Sequence, residues 1–195
     1  MISADAKPSI QARARIHPAE PPAPGRGQRV EHEYERRGAL CYFDAWDVRR
    51  GQIMGRSEPK GGIAAFDRLV WQVMTKEPYA SARRVFWIVD NGSDHRGQRS
   101  IQRLQGRWPK LILVHTPVHG SWLNQVEIYH SIIQRKLLAP NDFADTAALA
   151  RALNDFEHHY NQIAKPFAWN FTRTDLANVL DRLKRDGDTP LAAAA

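Results

Sequence analysis

The chain is poor in cysteine and has no long apolar run. A single cysteine, Cys41, stands among 195 residues. This excludes an intrachain disulfide framework and a cysteine-rich zinc site, and it favours a reducing compartment. No apolar stretch approaches the roughly 20 residues that span a bilayer, and the opening MISADAKPSI lacks the apolar centre of a signal peptide. These absences predict a cytoplasmic protein with no membrane partner.

Two common catalytic motifs are also missing. Neither a Gly-x-Ser-x-Gly elbow nor a Walker phosphate loop occurs, and the triplet GRG at 25–27 is too short to cradle a phosphate. The usual hydrolase and NTPase classes are therefore excluded. Positive charge is present instead, because 28 Lys and Arg against 21 Asp and Glu give a net charge of +7. Such a balance favours a polyanionic partner, nucleic acid first.

The chain divides into a short first segment, a connector and a main body. Residues 17–28, HPAEPPAPGRGQ, hold four prolines and two glycines and predict an extended connector. Residues 1–16 precede it, residues 29–186 form the main body, and residues 187–195 are predicted to be a disordered tail. The length suits one sizeable core.

The main body has the pattern of an α/β fold. Two strands at 38–48 and 51–57 flank the turn RRG, and a helix with apolar spacing follows at 62–74. The runs RVFWIV and LILV predict strands covered on both faces, and the helix between them makes a parallel pair. Helices are predicted near 121–138, near 145–161 and from about 173. The result is a mixed sheet flanked by helices.

Asp90 lies at the carboxyl end of the predicted strand RVFWIV. Open α/β sheets bind ligands at that edge because the loops diverge there. The alternative is that Asp90 only shapes the turn that Asn91 and Gly92 make.

Glu127 lies on the margin of an apolar helix stripe. The stripe consists of Trp122, Val126, Tyr129, Ile133 and Leu137. Glu127 is about 100° around the helix from Val126, so its carboxylate can point into a crevice; alternatively it is a solvated helix residue. Carboxylates that converge without cysteine would bind Mg²⁺ or Mn²⁺, and two such ions support phosphodiester chemistry.

Three segments carry a family resemblance. VDNGSDH (89–95), LVHTPVHGSWLNQVEIYHSIIQRKLL (113–138) and DFEHHYNQIAKPFAWNFTR (155–173) resemble the catalytic domain of bacterial insertion-sequence transposases of the mariner-like group. That group belongs to the DDE superfamily, so the resemblance implies an RNase H-like fold. The 36 residues between Asp90 and Glu127 suit the family's second and third acidic positions.

The resemblance implies that Asp5 is the first acidic residue. In ADAKPSIQAR, Asp5 matches the family's Asp-Glu-Lys motif, whereas Ala6 replaces the Glu. Four residues precede Asp5, so its strand is expected to be short. Asp44 and Asp47 compete for the role, although the resemblance places their strand second in the sheet. With Asp5, Asp90 and Glu127 as ligands, two Mg²⁺ or Mn²⁺ ions are implied.

Further residues are implied to support the site. His95 matches the family's histidine after Asp-Asn, and His119, Trp122 and Asn124 are expected to shape the wall of the site. The alternatives are a capping role for His95 and core packing for Trp122. The pair His115 and His119 has metal-ligand spacing, but Pro117 between them argues against a shared helix and a zinc site.

The implied function is metal-dependent cleavage and strand transfer of DNA, with no covalent protein–DNA intermediate and no small-molecule cofactor. The expected partners are transposon ends, target DNA and further copies of the chain, at the bacterial nucleoid. The alternative is a non-catalytic DNA-binding remnant, because the family's N-terminal recognition region has no counterpart here. The residues expected to contact the DNA backbone are Arg96, Arg99, Arg103, Arg107, Arg135 and Lys136.

Overall fold

The structure, a computed structural model, describes residues 1–95, 97–117 and 120–187. Its strands are β1 (Ile2–Arg15), β2 (Tyr34–Asp47), β3 (Ile53–Glu58), β4 (Val85–Val89) and β5 (Leu111–His115). Its α-helices are α1 (Ile63–Met74), α2 (Gly97–Arg107), α3 (Val126–Lys136), α4 (Thr146–Gln162) and α5 (Arg173–Gly187), and a 3₁₀ turn covers Ser121–Leu123. Within the described residues, no helix is both long and apolar enough to cross a membrane.

The five strands form one mixed sheet in the order β3-β2-β1-β4-β5. The pairs β1–β2 and β2–β3 are antiparallel, whereas β1–β4 and β4–β5 are parallel. The expected α/β class with a mixed sheet is therefore confirmed. Because β1 lies in the middle, it is flanked by the antiparallel strand β2 on one side and the parallel strand β4 on the other.

The expectation that the first strand is short is wrong. β1 has 14 residues and pairs with β2 from Ile2↔Asp47 to Arg15↔Tyr34. The register shifts between Lys7 and Ile10 and again between Gln11 and Arg13, and the two strands remain paired on either side of each shift. The strand continues past Asp5 because β2 offers a partner along its whole length.

The connector between β1 and β2 contains no regular strand. Two isolated bridges, Glu20↔Arg29 and Ala23↔Arg26, fold it back on itself. This local pairing is what four prolines permit, since proline cannot donate to a ladder. The division of the chain into segments at 16, 28 and 186 stays a prediction.

The two sides of the sheet are covered unequally. The α1 helix buries Phe66, Leu69 and Val70 on one side, against a cluster that includes Trp87. On the other side α3 and α4 pack on β1, β2 and β3. The expectation that β4 is covered on both faces is wrong, because Phe86 remains 43% exposed where α3 and α4 do not reach.

The single helix expected near 121–138 is interrupted. The 3₁₀ turn ends at Asn124, whose φ and ψ of −77° and 107° are extended, and α3 begins only at Val126. Trp122 is therefore out of phase with the buried stripe and 44% exposed, where its ring meets Phe171 edge-to-face at 4.9 Å. Val126, Tyr129 and Ile133 are buried as expected.

Candidate active site

The register between β1 and β4 relates two of the expected acidic residues, one on β1 and one just after the end of β4. β1 pairs with β4 through Ile2↔Trp87 and Ser3↔Ile88. Continued by two residues, the same offset brings Asp5 level with Asp90, which follows the end of β4. Parallel neighbours lie about 4.8 Å apart. Asp5 and Asp90 thus flank one point at the carboxyl edge of the parallel strands, where ligand sites form in open sheets.

Asn124 fastens the start of α3 to the central strand. Its side-chain NH₂ donates to the carbonyl of Ala4 at 2.9 Å, and its amide oxygen accepts from the Ser3 hydroxyl. The Val126 N–H in turn donates to the Ser3 Oγ at 3.1 Å. All of these groups are buried, so separating them leaves unpaired polar atoms. The clamp holds the first turn of α3, and hence Glu127, against the residues that precede Asp5.

Asp5, Glu127 and His130 form a compact cluster. Each offers one ligand atom, and these three atoms lie within 4.8 Å of one another. Glu127 and His130 stand three residues apart and therefore share a side of α3. Among the residues that the structure describes, Asp90 is not part of this group. The structure thus brings Asp5 and Glu127 together and leaves Asp90 beside them on the adjacent strand end.

His130 is buried and bridges two carboxylates. Its Nε2 lies 2.9 Å from Asp44 Oδ1, and its Nδ1 lies 3.4 Å from Glu127 Oε2. Burial alone lowers the pKa of His130, but the charge and hydrogen bond of Asp44, with help from Glu127 and Asp5, outweigh it and raise that pKa to about 10. In the absence of another cation, the ring therefore carries the positive charge of the cluster.

Asp44 is a partner of His130 on the strand beside Asp5. It pairs directly with Asp5 across the β1–β2 ladder, and its side chain is fully buried. Burial raises its pKa, against the opposing effect of His130. Asp47, the other competitor for the first acidic position, accepts the N–H groups of Arg49 and Arg50 at 2.9 and 3.1 Å and so shapes the β2–β3 turn.

The carboxyl group of Asp5 has a pKa near neutral pH. Burial is the main cause that raises its pKa to about 7, and the charges of Asp90 and Asp44 add to the effect, while the Ala6 N–H and His130 oppose it. The pKa of Glu127 is lowered, first by its hydrogen bond with His130 and also by one with Asp5. In its protonated form Asp5 is the donor in that hydrogen bond, and Glu127 accepts.

Asp90 has a separate arrangement of donors. Its Oδ1 lies 2.7 Å from His95 Nε2 and accepts the Gly92 N–H at 2.8 Å. The hydrogen bond from His95 is the main cause that lowers the pKa of Asp90. A Cβ on Gly92 would stand 2.9 Å from Asp90 Oδ1 and 3.2 Å from His95 Nε2. A side chain at this position would therefore displace the Asp90 carboxylate or the His95 ring.

His95 is itself held in place from two sides. Its ring is buried against Phe66, with ring centroids 4.8 Å apart. The His115 Nε2 lies 2.8 Å from the His95 carbonyl, to which it donates. His95 therefore orients Asp90 and is not a helix cap, although its part in the reaction stays a prediction.

The basic residues expected to bind DNA differ in their surroundings. Arg99, Arg107, Arg135 and Lys136 are exposed. Arg103 instead donates to Asp67 Oδ1 at 3.1 Å and to the Asp94 carbonyl at 3.0 Å, which ties α2 to α1 and to the turn after Asp90. Arg96 and His119 lie outside the described residues.

His130 and its pairing with Asp44 were not predicted from the sequence. A histidine beside an apolar helix stripe is common in helices of many functions, and its partner Asp44 lies 86 residues away in the chain. The available signal was the spacing Glu-x-x-His on α3 together with an aspartate in the otherwise apolar strand CYFDAW. A buried aspartate demands a partner.

A mixed sheet with carboxylates converging at the edge of its parallel strands defines a class of metal-dependent nuclease. The family described as DDE superfamily endonuclease matches residues 5–150 of the chain. The chain therefore belongs to the DDE superfamily of endonucleases, whose members use divalent metal ions. A comparison with curated protein sequences found no match.

Solved structures share the fold. The chain is similar to the Mos1 protein of a pre-cleavage transpososome, with a TM-score of 0.55, 14% identity and coverage of 80% of this chain and 48% of the other. For the Mos1 mariner paired end complex with Mn, the TM-score is 0.56, the identity 14% and the coverage 81% and 48%. For the catalytic core domain of BIV integrase, the TM-score is 0.49 and the identity is 14%, with coverage of 75% of this chain and 90% of the other. The chain spans about half the length of the Mos1 chains, and the expected RNase H-like fold is confirmed.

The residues of the cluster fit a divalent cation. Burial raises the pKa of Asp5, so a cation beside it would favour the ionised carboxylate, and oxygen ligands of this kind suit Mg²⁺ and Mn²⁺. A cation placed beside Asp5 and Glu127 would stabilise both carboxylates in their charged form.

Proposed function

We propose that this chain is the catalytic domain of a DNA transposase. It cleaves phosphodiester bonds at the ends of a mobile element and joins the freed 3′-hydroxyls to target DNA. One observation carries the proposal: ligand atoms of Asp5 on the central strand and of Glu127 on α3 lie within 4.8 Å of each other, beside the strand end that Asp90 follows. Structural similarity to Mos1, which is named in a transpososome and in a paired end complex, supports DNA as the substrate.

The three carboxylates take different parts. Asp5 and Glu127 would hold one cation, and Asp5 and Asp90 would hold a second. Bound divalent cations make a water or a sugar hydroxyl more acidic and stabilise the leaving oxygen. His95 keeps the Asp90 carboxylate ionised and aimed, and Asn124 keeps Glu127 close to Asp5. The choice of Mg²⁺ or Mn²⁺ and the count of two ions belong to this proposal.

Exposed cations next to the site hold the DNA. Arg135 and Lys136 end the helix that begins with Glu127, and Arg99 and Arg107 lie on α2. Such side chains neutralise phosphates and release counterions, which makes binding sensitive to salt. A homo-oligomer assembled on two DNA ends, working at the nucleoid, completes the proposal.

A nicking assay on supercoiled plasmid tests the function. The chain is incubated with Mg²⁺ or Mn²⁺ and compared with Glu127→Gln, and with Asp155→Asn as a control that removes an exposed carboxylate from α4. We expect nicking by the wild type and the control, and a loss of at least about a hundredfold in Glu127→Gln. Salt-sensitive DNA binding without cleavage at any metal concentration would instead identify a non-catalytic remnant.

A further inference from the structure

We propose that His130 is a nitrogen ligand of the cation bound by Asp5 and Glu127, and that Asp44 orients its ring. The site then prefers transition-metal divalent cations, represented by Mn²⁺, over Mg²⁺. The inference rests on the proposed function only in taking Asp5 and Glu127 as cation ligands. It adds a fourth ligand residue to the site, and it gives that residue a partner, Asp44, on β2.

The geometry places the correct ring atom toward the carboxylates. His130 Nε2 is 2.9 Å from Asp44 Oδ1, so it is the nitrogen that donates to Asp44. The opposite nitrogen, Nδ1, is 3.4 Å from Glu127 Oε2. Ligand atoms of one ion with bonds near 2.1 Å lie within about 4.2 Å of one another. The three candidate atoms lie within 4.8 Å, so small side-chain rotations bring them onto a common ion.

Asp44 supplies the outer carboxylate that metal-binding histidines need. A histidine ligand generally donates its second ring N–H to a carboxylate, which fixes the tautomer and raises the basicity of the ligating nitrogen. Asp44 is fully buried, and within the described residues its Oδ2 has no hydrogen-bond partner. Its Oδ1 contact with His130 is thus the feature that accounts for a charged residue inside β2.

Imidazole changes which ion the site selects. Mg²⁺ favours an all-oxygen octahedron, whereas imidazole nitrogen suits the later divalent metals. Two carboxylates and one imidazole make a mixed nitrogen and oxygen set. Mn²⁺ is the probe because it accepts both donor types and has a spectroscopic signal.

Titration calorimetry of the full chain with MnCl₂ and with MgCl₂ measures the preference. We expect Mn²⁺ to bind at least about tenfold more tightly than Mg²⁺. The variant His130→Gln should lose about tenfold or more of the Mn²⁺ affinity while the Mg²⁺ affinity changes little. His158→Gln, which alters an exposed histidine on α4, should behave as the wild type.

If His130→Gln does not fold, pulsed electron paramagnetic resonance of the Mn²⁺-loaded protein provides the test, because it detects the magnetic coupling between Mn²⁺ and a nitrogen atom bound to it. A nitrogen coupling is expected in the wild type and in a variant with His95→Gln and His119→Gln. Absence of the coupling, or its loss in that double variant, overturns the proposal. So does an Mn²⁺-to-Mg²⁺ affinity ratio that is the same in wild type and His130→Gln.

The outcomes separate this inference from the proposed function. If both cations bind with similar affinity and Asp5→Asn abolishes both, His130 is not a ligand but the carboxylate site stands. If neither cation binds the wild type, the inference and the proposed function fail together.

Discussion

Two histidine–carboxylate pairs flank the site, and they differ in burial and in what they do to their acids. On the loop after β4, His95 donates to Asp90, whose side chain is 27% exposed, and the pKa of Asp90 is lowered. On α3, His130 contacts a fully buried Asp44 and a half-buried Glu127, while the pKa of neighbouring Asp5 is raised to about 7. The loop pair stabilises an ionised Asp90, whereas the helix pair lies beside Asp5, a carboxylic acid that ionises only near neutral pH.

The difference suggests separate roles for the two carboxylate environments: Asp90 is accessible to solvent and ligands, whereas the buried cluster can bind a cation more tightly. A partly solvated carboxylate such as Asp90 can exchange ligands at little cost, because water replaces what leaves. A buried cluster gains more from a bound cation, because electrostatic interactions strengthen away from water. We therefore expect the first ion to bind on the Asp5–Glu127 side and the second to be shared with Asp90.

The largest expected effect comes from breaking the buried pair. His130→Phe leaves Asp44 as an unpaired buried charge and should lower the free energy of unfolding by about 3–5 kcal/mol. Adding Asp44→Ala should recover most of that loss, because replacing both members of a buried pair by apolar groups is often neutral. Urea unfolding of the two single variants and the double variant measures the coupling.

His95→Ala is the matched change in the loop pair. Asp90 keeps the Gly92 N–H and contact with water, so the expected cost is about 1–2 kcal/mol. Equal losses in His95→Ala and His130→Phe would contradict the contrast between the two pairs.

The next largest effect is the pH dependence of the free energy of unfolding that the titration of Asp5 causes. Its pKa is about 7 in the folded protein and 3.8 as the ordinary value, so the folded state binds more protons between those pH values. The free energy of unfolding should therefore fall by about 2–4 kcal/mol as the pH rises from about 4 to 7 in the presence of a chelator. Urea midpoints across this range, compared with Asp5→Asn, measure the contribution.

Asp5→Asn should flatten that slope, since an amide does not titrate. Excess Mg²⁺ should flatten it in the wild type, because a bound cation favours the ionised carboxylate. An unchanged slope in Asp5→Asn would assign the titration to another group.

A smaller effect is expected at the turn that holds Asp90. In Gly92→Ala the new methyl group meets Asp90 Oδ1 and His95 Nε2, so the Asp90 carboxylate and the His95 ring must shift. We expect a loss of about 1 kcal/mol in stability and about tenfold in divalent cation affinity. Calorimetry and thermal unfolding check this. Gly106→Ala in α2, where a Cβ meets nothing within 4 Å, should be neutral or slightly stabilising.

The smallest effect is on DNA affinity. Arg135→Gln should weaken binding to any sequence and reduce the slope of log affinity against log salt by about one. Fluorescence anisotropy with a labelled duplex at several salt concentrations measures both. Arg103→Gln removes a contact to Asp67 instead, so we expect lower thermal stability and an unchanged salt slope. A changed slope in Arg103→Gln would contradict that distinction.

Local pattern was sufficient for much of the fold. The α1 helix, the β2–β3 hairpin and the strands β4 and β5 follow from apolar spacing and turn residues that are neighbours in sequence. The positions of Asp90 and Glu127 at a strand end and a helix margin follow in the same way. Asp5 required the resemblance, because four residues before it carry too little pattern to define a strand.

The rest depends on contacts between distant parts of the chain. The length of β1 is determined by how far β2 can pair with it, and the break at Asn124 by buried hydrogen bonds to Ser3 and Ala4. His130 acquires its partner only once β1 and β2 adopt the register that sets Asp5 opposite Asp44. Sequence spacing contains no information on that register.

The Asn124 clamp couples the proximity of Asp5 and Glu127 to the packing of α3 on β1, so the two carboxylates come together when the chain folds. The Val126 amide, bonded to a serine hydroxyl on the innermost strand, can exchange its hydrogen with solvent only when helix and strand part. Deuterium uptake at that single amide should consequently be as slow as in the middle of the sheet, and it would serve as a gauge of whether a damaged variant still has its acids in place.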